Sequence, residues 1–390
     1  MENPLRHLMP LNNLPYSDLF FQKNKIQLSS HDYTFKFNTP MNHKFLQPLF
    51  IPICFILMLY PMGCKQSNPV IAPIDTIPTV KVDSFAKGAD VSWVTQMEAS
   101  NKKFYTSAGT EIECLALLKS LGMNSIRLRV WVNPIDGWCN EQDLLVKALR
   151  AKNLGMQIMI DFHYSDTWAD PGHQTKPATW AALTFADLKT ALVTHTKNVL
   201  TTLKTSGITP KWVQVGNETG NGMLWEDGKA STNMANYAAL TTAGYDAVKS
   251  VFPDTKVIVH IQSGQDNSLF RWIFDGLKSN GAKWDVIGMS LYPSTTDWQL
   301  QNGQCLSNMN DMVARYGKEV MICEVGMSWD SPDIAKSFLT DLITKSKSVT
   351  GGKGLGVFYW EPESYGNWNQ YSLGAFDNNG KPTIAMDAFK

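Results

Sequence analysis

The stretch Trp212-Val213-Gln214-Val215-Gly216-Asn217-Glu218 is a short run of apolar and β-branched residues that stops at a glutamate. A second run, Val320-Met321-Ile322-Cys323, stops in the same way at Glu324. A carboxylate at the end of a buried strand is costly to desolvate, which favours a functional reason for its presence. Each glutamate alone could equally cap a following helix. Two of them can converge if the fold gathers parallel strand ends around one opening.

Outward from these runs, strand-like and helix-like segments alternate from about residue 86 to the end of the chain. Eight strand candidates start near Gly88, Ser125, Gln157, Trp212, Lys256, Val286, Val320 and Gly356. Between them apolar residues recur at spacings of three and four, which is typical of helices with one face on a barrel wall. Eight βα repeats without a visible linker predict an α/β protein with a single (β/α)8 TIM barrel.

A doubly wound sheet is the rival fold, and it would need a glycine-rich turn after the first strand. No such turn follows residues 88–93. The run Gly351-Gly352-Lys353-Gly354 precedes the eighth strand, so we interpret it as a connection at the inert face of the barrel. Asn140 and Ser331 are predicted to be helix N-caps, the latter with a proline at the first helical position.

The bulk composition argues against a nucleic-acid partner. The chain has 390 residues, of which 44% are hydrophobic, and its 35 basic and 35 acidic residues cancel. No basic field would attract nucleic acid, so a neutral ligand is the easier expectation. Thirteen Trp and twelve Tyr residues supply flat side chains on which sugar rings can stack.

The amino-terminal segment has the character of an export signal. The apolar run of residues 50–60 is too short to span a membrane as a helix, and Gly63-Cys64 follows it closely. This pattern resembles a bacterial lipoprotein signal in which Cys64 is lipidated. The alternative is a buried segment followed by a loop.

The predicted organisation has four parts: an unstructured upstream segment (1–40), a lipoprotein-type signal peptide (41–64), a proline-containing tether (65–85) and the barrel (86–390). We therefore expect an exported monomer that a lipid on Cys64 anchors to the outer membrane or the cell surface. Four cysteines remain in the barrel, at positions 114, 139, 305 and 323, and match no zinc motif. Cys323 lies within a predicted strand. The sequence does not decide whether two of the other three cysteines form a disulfide.

Most of the chemically suggestive side chains fall at the carboxyl ends of the predicted strands, where barrel enzymes build their active sites. They are Arg127, Arg129, Asp161, His163, Asn217, Glu218, His260, Tyr292, Glu324, Trp360 and Glu361. Two carboxylates facing each other suit the acid/base hydrolysis of a glycosidic bond, and direct attack on a sugar carbon needs them about 5–5.5 Å apart.

That chemistry gives the two carboxyls opposite requirements. The acid must still hold a proton near neutral pH, whereas the nucleophile must stay ionised beside donors such as Arg129 or Arg127 and Tyr292. Asn217 offers an amide donor for the sugar 2-hydroxyl. These arguments do not say which glutamate has which role, and Glu361, Asp161 and Asp90 are competitors. We favour Asp161 and Glu361 as partners of the arginines beneath the site.

Several segments resemble the arabinogalactan endo-β-1,4-galactanases of glycoside hydrolase family 53, over roughly residues 86–390. The residues that carry the resemblance are 88–92, 126–131, 161–172 (Asp-Phe-His-Tyr-Ser-Asp-Thr-Trp-Ala-Asp-Pro-Gly), 215–218, 288–293 and 360–362. The resemblance implies that Glu218 is the acid/base and Glu324 the nucleophile. It also implies a substrate of β-1,4-galactan, a neutral side chain of pectin, cut internally with retention by double displacement.

The predicted substrate-binding residues are Asn217, Arg129, Asp161, His163, Trp168, His260, Tyr292 and Trp360. We expect no cofactor and no catalytic metal. Some bacterial members of the family are thought to carry a calcium-binding loop after strand seven, but here the Ser331 cap follows almost at once, so a structural calcium is not favoured. Asp161, His163, Asp166 and Asp170 could suggest a metal site, but calcium usually takes its ligands from a dedicated loop.

Three alternatives stay open. The first is another β-1,4-glycanase of the same clan, such as a xylanase or a mannanase. The second is a non-catalytic lipoprotein that binds surface glycans, and the third is a metal-dependent amidohydrolase.

Overall fold

A computed structural model describes residues 85–390 of the protein. The predicted upstream segment, signal peptide and tether lie outside the described residues, except for Phe85, which is buried. Within the described part, no helix combines the length and the apolar character that crossing a membrane requires.

Eight parallel strands close into a barrel in which every strand pairs with its neighbours in the sequence. They are β1 (Ala86–Asp90), β2 (Ser125–Val130), β3 (Gln157–Phe162), β4 (Trp212–Val215), β5 (Lys256–Ile261), β6 (Val286–Leu291), β7 (Glu319–Val325) and β8 (Gly354–Trp360). The ring closes where β1 pairs with β8, from Ala86 opposite Gly356 to Asp90 opposite Trp360. The predicted barrel is confirmed, and the observed strand starts lie within two residues of the predicted ones.

Within residues 85–390, eight α-helices accompany the strands of this barrel. They are α1 (Val94–Ala99), α2 (Cys114–Ser120), α3 (Glu141–Asn153), α4 (Phe185–Thr205), α5 (Ala230–Val251), α6 (Asn267–Ser279), α7 (Trp298–Tyr316) and α8 (Pro332–Lys347). The Asn140 cap is confirmed, because its side chain accepts a hydrogen bond from the backbone N–H of Asp143 at 2.9 Å. Helix α8 begins at Pro332 as predicted, but the Ser331 hydroxyl makes no cap and donates instead to Asp330 at 3.1 Å.

The lower part of the barrel interior is filled by apolar side chains. Its members are Ala86, Met159, Trp212, Ile258, Val286, Met321, Cys323 and Phe358. Trp212 and Phe358 meet edge to face with ring centroids 6.1 Å apart. A Cβ on Gly88 would lie 2.2 Å from the Phe358 ring, so this position has no room for a side chain. Above this apolar layer, toward the carboxyl ends of the strands, the barrel interior contains buried polar side chains such as Arg127, Asp161 and His260.

The structure confirms the predictions made for two connections between strands and helices. Residues 350–352 form a short 3-10 turn directly before β8, so the glycine run is an ordinary connection at the amino end of the barrel. After β7 only residues 326–331 precede α8, which confirms that no long loop follows this strand. The four cysteines of the described residues are buried and free, so the possible disulfide among Cys114, Cys139 and Cys305 is not formed.

Candidate active site

Glu218 lies in a sharp turn that follows β4. Gly216 has a φ of 89°, and a Cβ there would approach the Thr219 methyl group to 2.6 Å. Glu218 itself has a φ of 46°, in the left-handed region that side chains rarely adopt. Such backbone strain persists only where the surroundings impose it, and it gathers at functional sites. The turn directs the Glu218 carboxyl toward Ser290, which hydrogen-bonds to it.

Glu324 lies near the end of β7 and is almost completely buried. One carboxylate oxygen contacts the Nη2 atom of Arg127 at 2.7 Å, and the other accepts a hydrogen bond from the Tyr292 hydroxyl at 3.1 Å. Burial of its hydroxyl, on a residue that is otherwise partly exposed, and the nearby Glu324 charge raise the pKa of Tyr292, so this hydroxyl keeps its proton and remains a donor. Both contacts favour the ionised form of Glu324.

Burial acts on the ionisation of both glutamates. Burial raises the pKa of Glu218, against the lowering effect of its hydrogen bond with Ser290. Burial also raises the pKa of Glu324, opposed by the Arg127 guanidinium and reinforced by the charge of Glu218. Glu324 has the direct arginine contact, which favours its ionised form.

Arg127 is the centre of the charged network beneath the two glutamates. It is fully buried, and its guanidinium contacts Asp90 at 2.5 Å and Asp161 at 2.9 Å. Its Nε atom donates to the side-chain oxygen of Gln214 at 2.7 Å, and Nη2 donates to that of Asn217 at 2.9 Å. Every nitrogen of this guanidinium therefore has a partner, which fixes its position against Glu324.

Asn217 and His260 connect this network to Glu218. The Asn217 oxygen lies 3.0 Å from His260 Nδ1, and its amide nitrogen donates to the Ala169 carbonyl at 2.8 Å. The amide has a second N–H, which leaves one donor for a ligand. His260 Nε2 lies 2.8 Å from the Ser290 hydroxyl, so the imidazole holds the serine that contacts Glu218. Burial holds the pKa of His260 well below its usual value, and the ring is neutral.

His163 has no free nitrogen. Its Nε2 atom lies 3.0 Å from Asp161, while Nδ1 accepts from the Trp131 indole at 3.3 Å and from the Ala169 backbone at 3.0 Å. The carboxylate of Asp166 is also occupied, because it accepts the backbone N–H groups of Asn133 and Ala178. Among residues 85–390, no group of three or more His, Cys, Asp or Glu side chains is arranged to hold a metal ion. The expectation of no cofactor stays a prediction.

The structure sorts the predicted substrate-binding residues into two sets. Some of them have exposed surface: Tyr292, which contacts Glu324, and Trp168 and Trp360, while Asn217 retains a small exposed area. Arg129, Asp161 and His260 are 0% exposed, so they support the site without lining it.

The sequence left Arg129 and Arg127 open as donors to the nucleophile. Of the two arginines, Arg127 contacts Glu324. Arg129 pairs instead with Glu361 at 3.3 Å. The favoured interpretation of Asp161 and Glu361 as partners of the arginines is confirmed. Asp90, the third competitor, also pairs with Arg127.

Two polar residues of the site escaped the sequence analysis, namely Gln214 and Ser290. Gln214 joins Arg127 to Asp161, to which its amide donates at 2.9 Å. Ser290 joins His260 to Glu218. Both are polar side chains inside apolar strands, on the face that points into the barrel. That alternation was the signal that could have identified them.

Comparisons with known proteins identify the family and the fold. The sequence model of glycosyl hydrolase family 53 matches residues 86–389. A probable arabinogalactan endo-β-1,4-galactanase A of Neosartorya fischeri is 34% identical over 298 residues, 71% of this chain and 83% of that protein. The arabinogalactan endo-β-1,4-galactanase of Thermothelomyces thermophilus is 31% identical over 329 residues, 78% and 98% of the two chains. A solved structure from a study of two fungal β-1,4-galactanases superimposes with a TM-score of 0.72 and 31% identity, covering 77% of this chain and 98% of the other.

Proposed function

The chain belongs to glycosyl hydrolase family 53, and on that premise we propose that it cleaves galactan by double displacement between Glu218 and Glu324. It is an arabinogalactan endo-β-1,4-galactanase, a hydrolase of β-1,4-galactosidic bonds within the polysaccharide. A neutral polymer suits a chain whose formal net charge is zero.

One observation carries the assignment of roles. Glu324 contacts a guanidinium and a phenol, whereas Glu218 has a serine hydroxyl as its hydrogen-bond partner. Positive charge beside Glu324 stabilises the anion needed for attack, and burial without such a contact keeps the proton on Glu218. Glu324 is therefore the nucleophile and Glu218 the acid/base.

In the first step a Glu324 oxygen forms a bond to the anomeric carbon while the bond from that carbon to the glycosidic oxygen breaks. The proton of Glu218 passes to the departing oxygen, so the leaving sugar departs as a neutral alcohol. In the second step Glu218, now a carboxylate, takes a proton from water as the water oxygen attacks the same carbon. Glu324 leaves as a carboxylate, and the two inversions give net retention.

The surrounding residues support these steps without exchanging protons. The free N–H of Asn217 is available for the sugar 2-hydroxyl, a contact that strengthens in the transition state. Tyr292 continues to donate to Glu324, which orients the attacking oxygen. Trp168 and Trp360 offer indole surface for the apolar faces of the galactose rings.

The location of the enzyme is a separate part of the proposal. We propose that it is exported and that a lipid on Cys64 anchors it to a membrane, as a monomer. The sequence supports this with an apolar run at residues 50–60 and a small residue before the cysteine. Cys64→Ala is expected to move the protein from the membrane fraction to the soluble fraction. An unchanged distribution would rule out the anchor and leave the enzymatic assignment intact.

The function is tested by incubating the full-length protein with linear β-1,4-galactan, xylan and mannan and sizing the products. We expect internal cleavage of galactan alone, with products in the β configuration when they first appear in a proton NMR spectrum. Added chelator is expected to leave the rate unchanged. Cleavage confined to xylan or mannan would overturn the substrate, α-configured first products would overturn double displacement, and binding without new reducing ends would overturn the hydrolase.

A further inference from the structure

Arg129 lies at the centre of a group of tryptophans, which we call the tryptophan wall and which comprises Trp93, Trp131, Trp168 and Trp360. The guanidinium carbon of Arg129 is 4.2 Å from the ring centre of Trp168, 5.2 Å from that of Trp131 and 5.7 Å from that of Trp93. These separations lie within the range of cation–π attraction. The cation is thus surrounded by indole faces.

The same guanidinium makes few hydrogen bonds. Its Nη1 atom reaches Glu361 at 3.3 Å and the Cys139 side chain interacts with the guanidinium, while the geometry gives the buried Nε and Nη2 atoms no hydrogen-bond partner among the described residues. Burying a charged group with unpaired donors is costly, so its presence calls for a compensating purpose. Stacking against the tryptophans supplies part of that compensation, because a planar guanidinium packs on rings as an ammonium cannot.

Glu361 anchors the arginine from the other side. Its carboxylate accepts the backbone N–H of Trp93 at 3.1–3.2 Å, and its backbone has a strained φ of 48°. Glu363 is buried next to it, and burial raises the pKa of both carboxyls. The contacts of Glu361 with Arg129 and with the Trp93 backbone favour its ionised form, so Glu361 is the paired carboxylate of this arginine.

The tryptophan wall continues from the buried arginine to the surface of the site. Trp93 is buried and meets Trp168 and Trp360 with ring centres 5.8 and 5.0 Å apart. Trp168 and Trp360 are only partly buried, and they also contact each other at 5.9 Å. A shift of the guanidinium would therefore displace ring surface that is open to a ligand.

We propose that Arg129 is a positioning residue for sugar binding, which acts by holding Trp168 and the rest of the tryptophan wall in place. The inference rests on the proposed function, since the ligand of these rings is the galactan chain. The two arginines of β2 thereby have different roles: Arg127 acts on the chemical step, and Arg129 acts on the binding of the polymer. The contacts of Arg129 include neither Glu218 nor Glu324.

The test is a double-mutant cycle on the full-length protein with linear galactan as substrate. Arg129→Lys keeps the charge and loses the planar stack, and we expect it to raise KM about tenfold with kcat within about threefold of the wild type. Trp168→Ala is expected to raise KM by at least as much. If Arg129 acts through Trp168, the double variant has the KM of Trp168→Ala alone, because interacting residues are not additive.

Arg150→Lys is the matched control. Arg150 is another arginine paired with glutamates, Glu98 and Glu113, and neither of these partners belongs to the site. Arg150→Lys should leave KM unchanged. Arg129→Lys and Arg150→Lys should both show cooperative thermal unfolding. If Arg129→Lys does not fold, Glu361→Gln replaces it and is expected to raise KM in the same way.

Three results would overturn the proposal: an unchanged KM, a loss confined to kcat, or effects of Arg129→Lys and Trp168→Ala that multiply in the double variant. Each of these three results is compatible with galactanase activity of the wild-type protein. Failure of the wild type to cleave galactan would instead overturn the proposed function, so the two failures are distinguishable.

Discussion

Arg127 and Arg129 lie two positions apart on β2, are equally buried and, by the alternation of a strand, share one face. Their surroundings nevertheless differ. Arg127 contacts three carboxylates and two amide oxygens, and each of its nitrogens is paired. Arg129 contacts one carboxylate and three indoles, and two of its nitrogens are unpaired.

The difference shows that burial and charge alone do not define what an arginine does in an active site. A guanidinium surrounded by oxygen acceptors fixes charge at one point, which is what an attacking carboxylate needs. A guanidinium surrounded by rings fixes their planes, which is what a stacking surface for sugars needs. The charged region around Arg127 and the aromatic region around Arg129 should therefore respond differently to matched substitutions.

The largest expected difference concerns the glutamate partner of each arginine. Glu324→Gln removes the nucleophile and is expected to lower kcat by about 10⁴-fold or more. Glu361→Gln removes the counter-ion of Arg129 and should leave kcat within about fivefold while KM rises. Steady-state kinetics on galactan measures both. Equal losses of kcat in the two variants would erase the distinction between the regions.

The second expected difference concerns the arginines themselves. Arg127→Lys should lower kcat about 100-fold, because an ammonium cannot maintain the same set of contacts. The Arg127 guanidinium lowers the pKa of Glu324, so a weaker contact raises that pKa and moves the acidic limb of the pH–rate profile to higher pH. Arg129→Lys should leave the limb in place. A limb that moves in Arg129→Lys and stays fixed in Arg127→Lys would reverse our assignment.

The sequence predicted the barrel and the two glutamates because both depend on local pattern. Strand starts at Ser125, Gln157 and Trp212 follow from short apolar runs, and Glu218 and Glu324 lie where such runs stop. Strand alternation could not separate Arg127 from Arg129, since residues two apart share a face and their partners come from other strands. Glu363 carried no signal, because it lies in the irregular segment after β8 and only the fold places it beside Glu361.

A third prediction concerns proton transfer by Glu218. Because burial raises its pKa, galactan hydrolysis should fall about tenfold for each pH unit above that pKa, as the acid loses its proton. Glu218→Ala, assayed on an oligogalactoside with an activated aryl leaving group, should lack this alkaline limb. Glu363→Gln is the control in the aromatic region and should retain it. Persistence of the limb in Glu218→Ala would assign it to another group.

The smallest expected effect is on stability. A glutamate has a pKa near 4.3 in an unfolded chain, and the folded value of Glu218 is raised above it. The folded state therefore holds this proton more tightly, and its stability falls as the pH rises from about 4.3 through the folded pKa. Glu218→Gln removes that loss and should be more stable than the wild type at pH 9 by about 1 kcal/mol, a shift of a few degrees in Tm. Thermal unfolding should give equal Tm values at pH 4. A less stable variant at pH 9 would contradict the raised pKa.

The division of work between Glu324 and Glu218 is tested most directly by azide rescue of the two alanine variants with an activated aryl β-galactoside. In Glu324→Ala azide replaces the missing nucleophile, and a single inversion should give the α-glycosyl azide. In Glu218→Ala the covalent intermediate still forms, and azide should trap it as the β-glycosyl azide. The opposite pair of anomers would exchange the two roles, and the Arg127 contact would then mark the acid/base instead of the nucleophile.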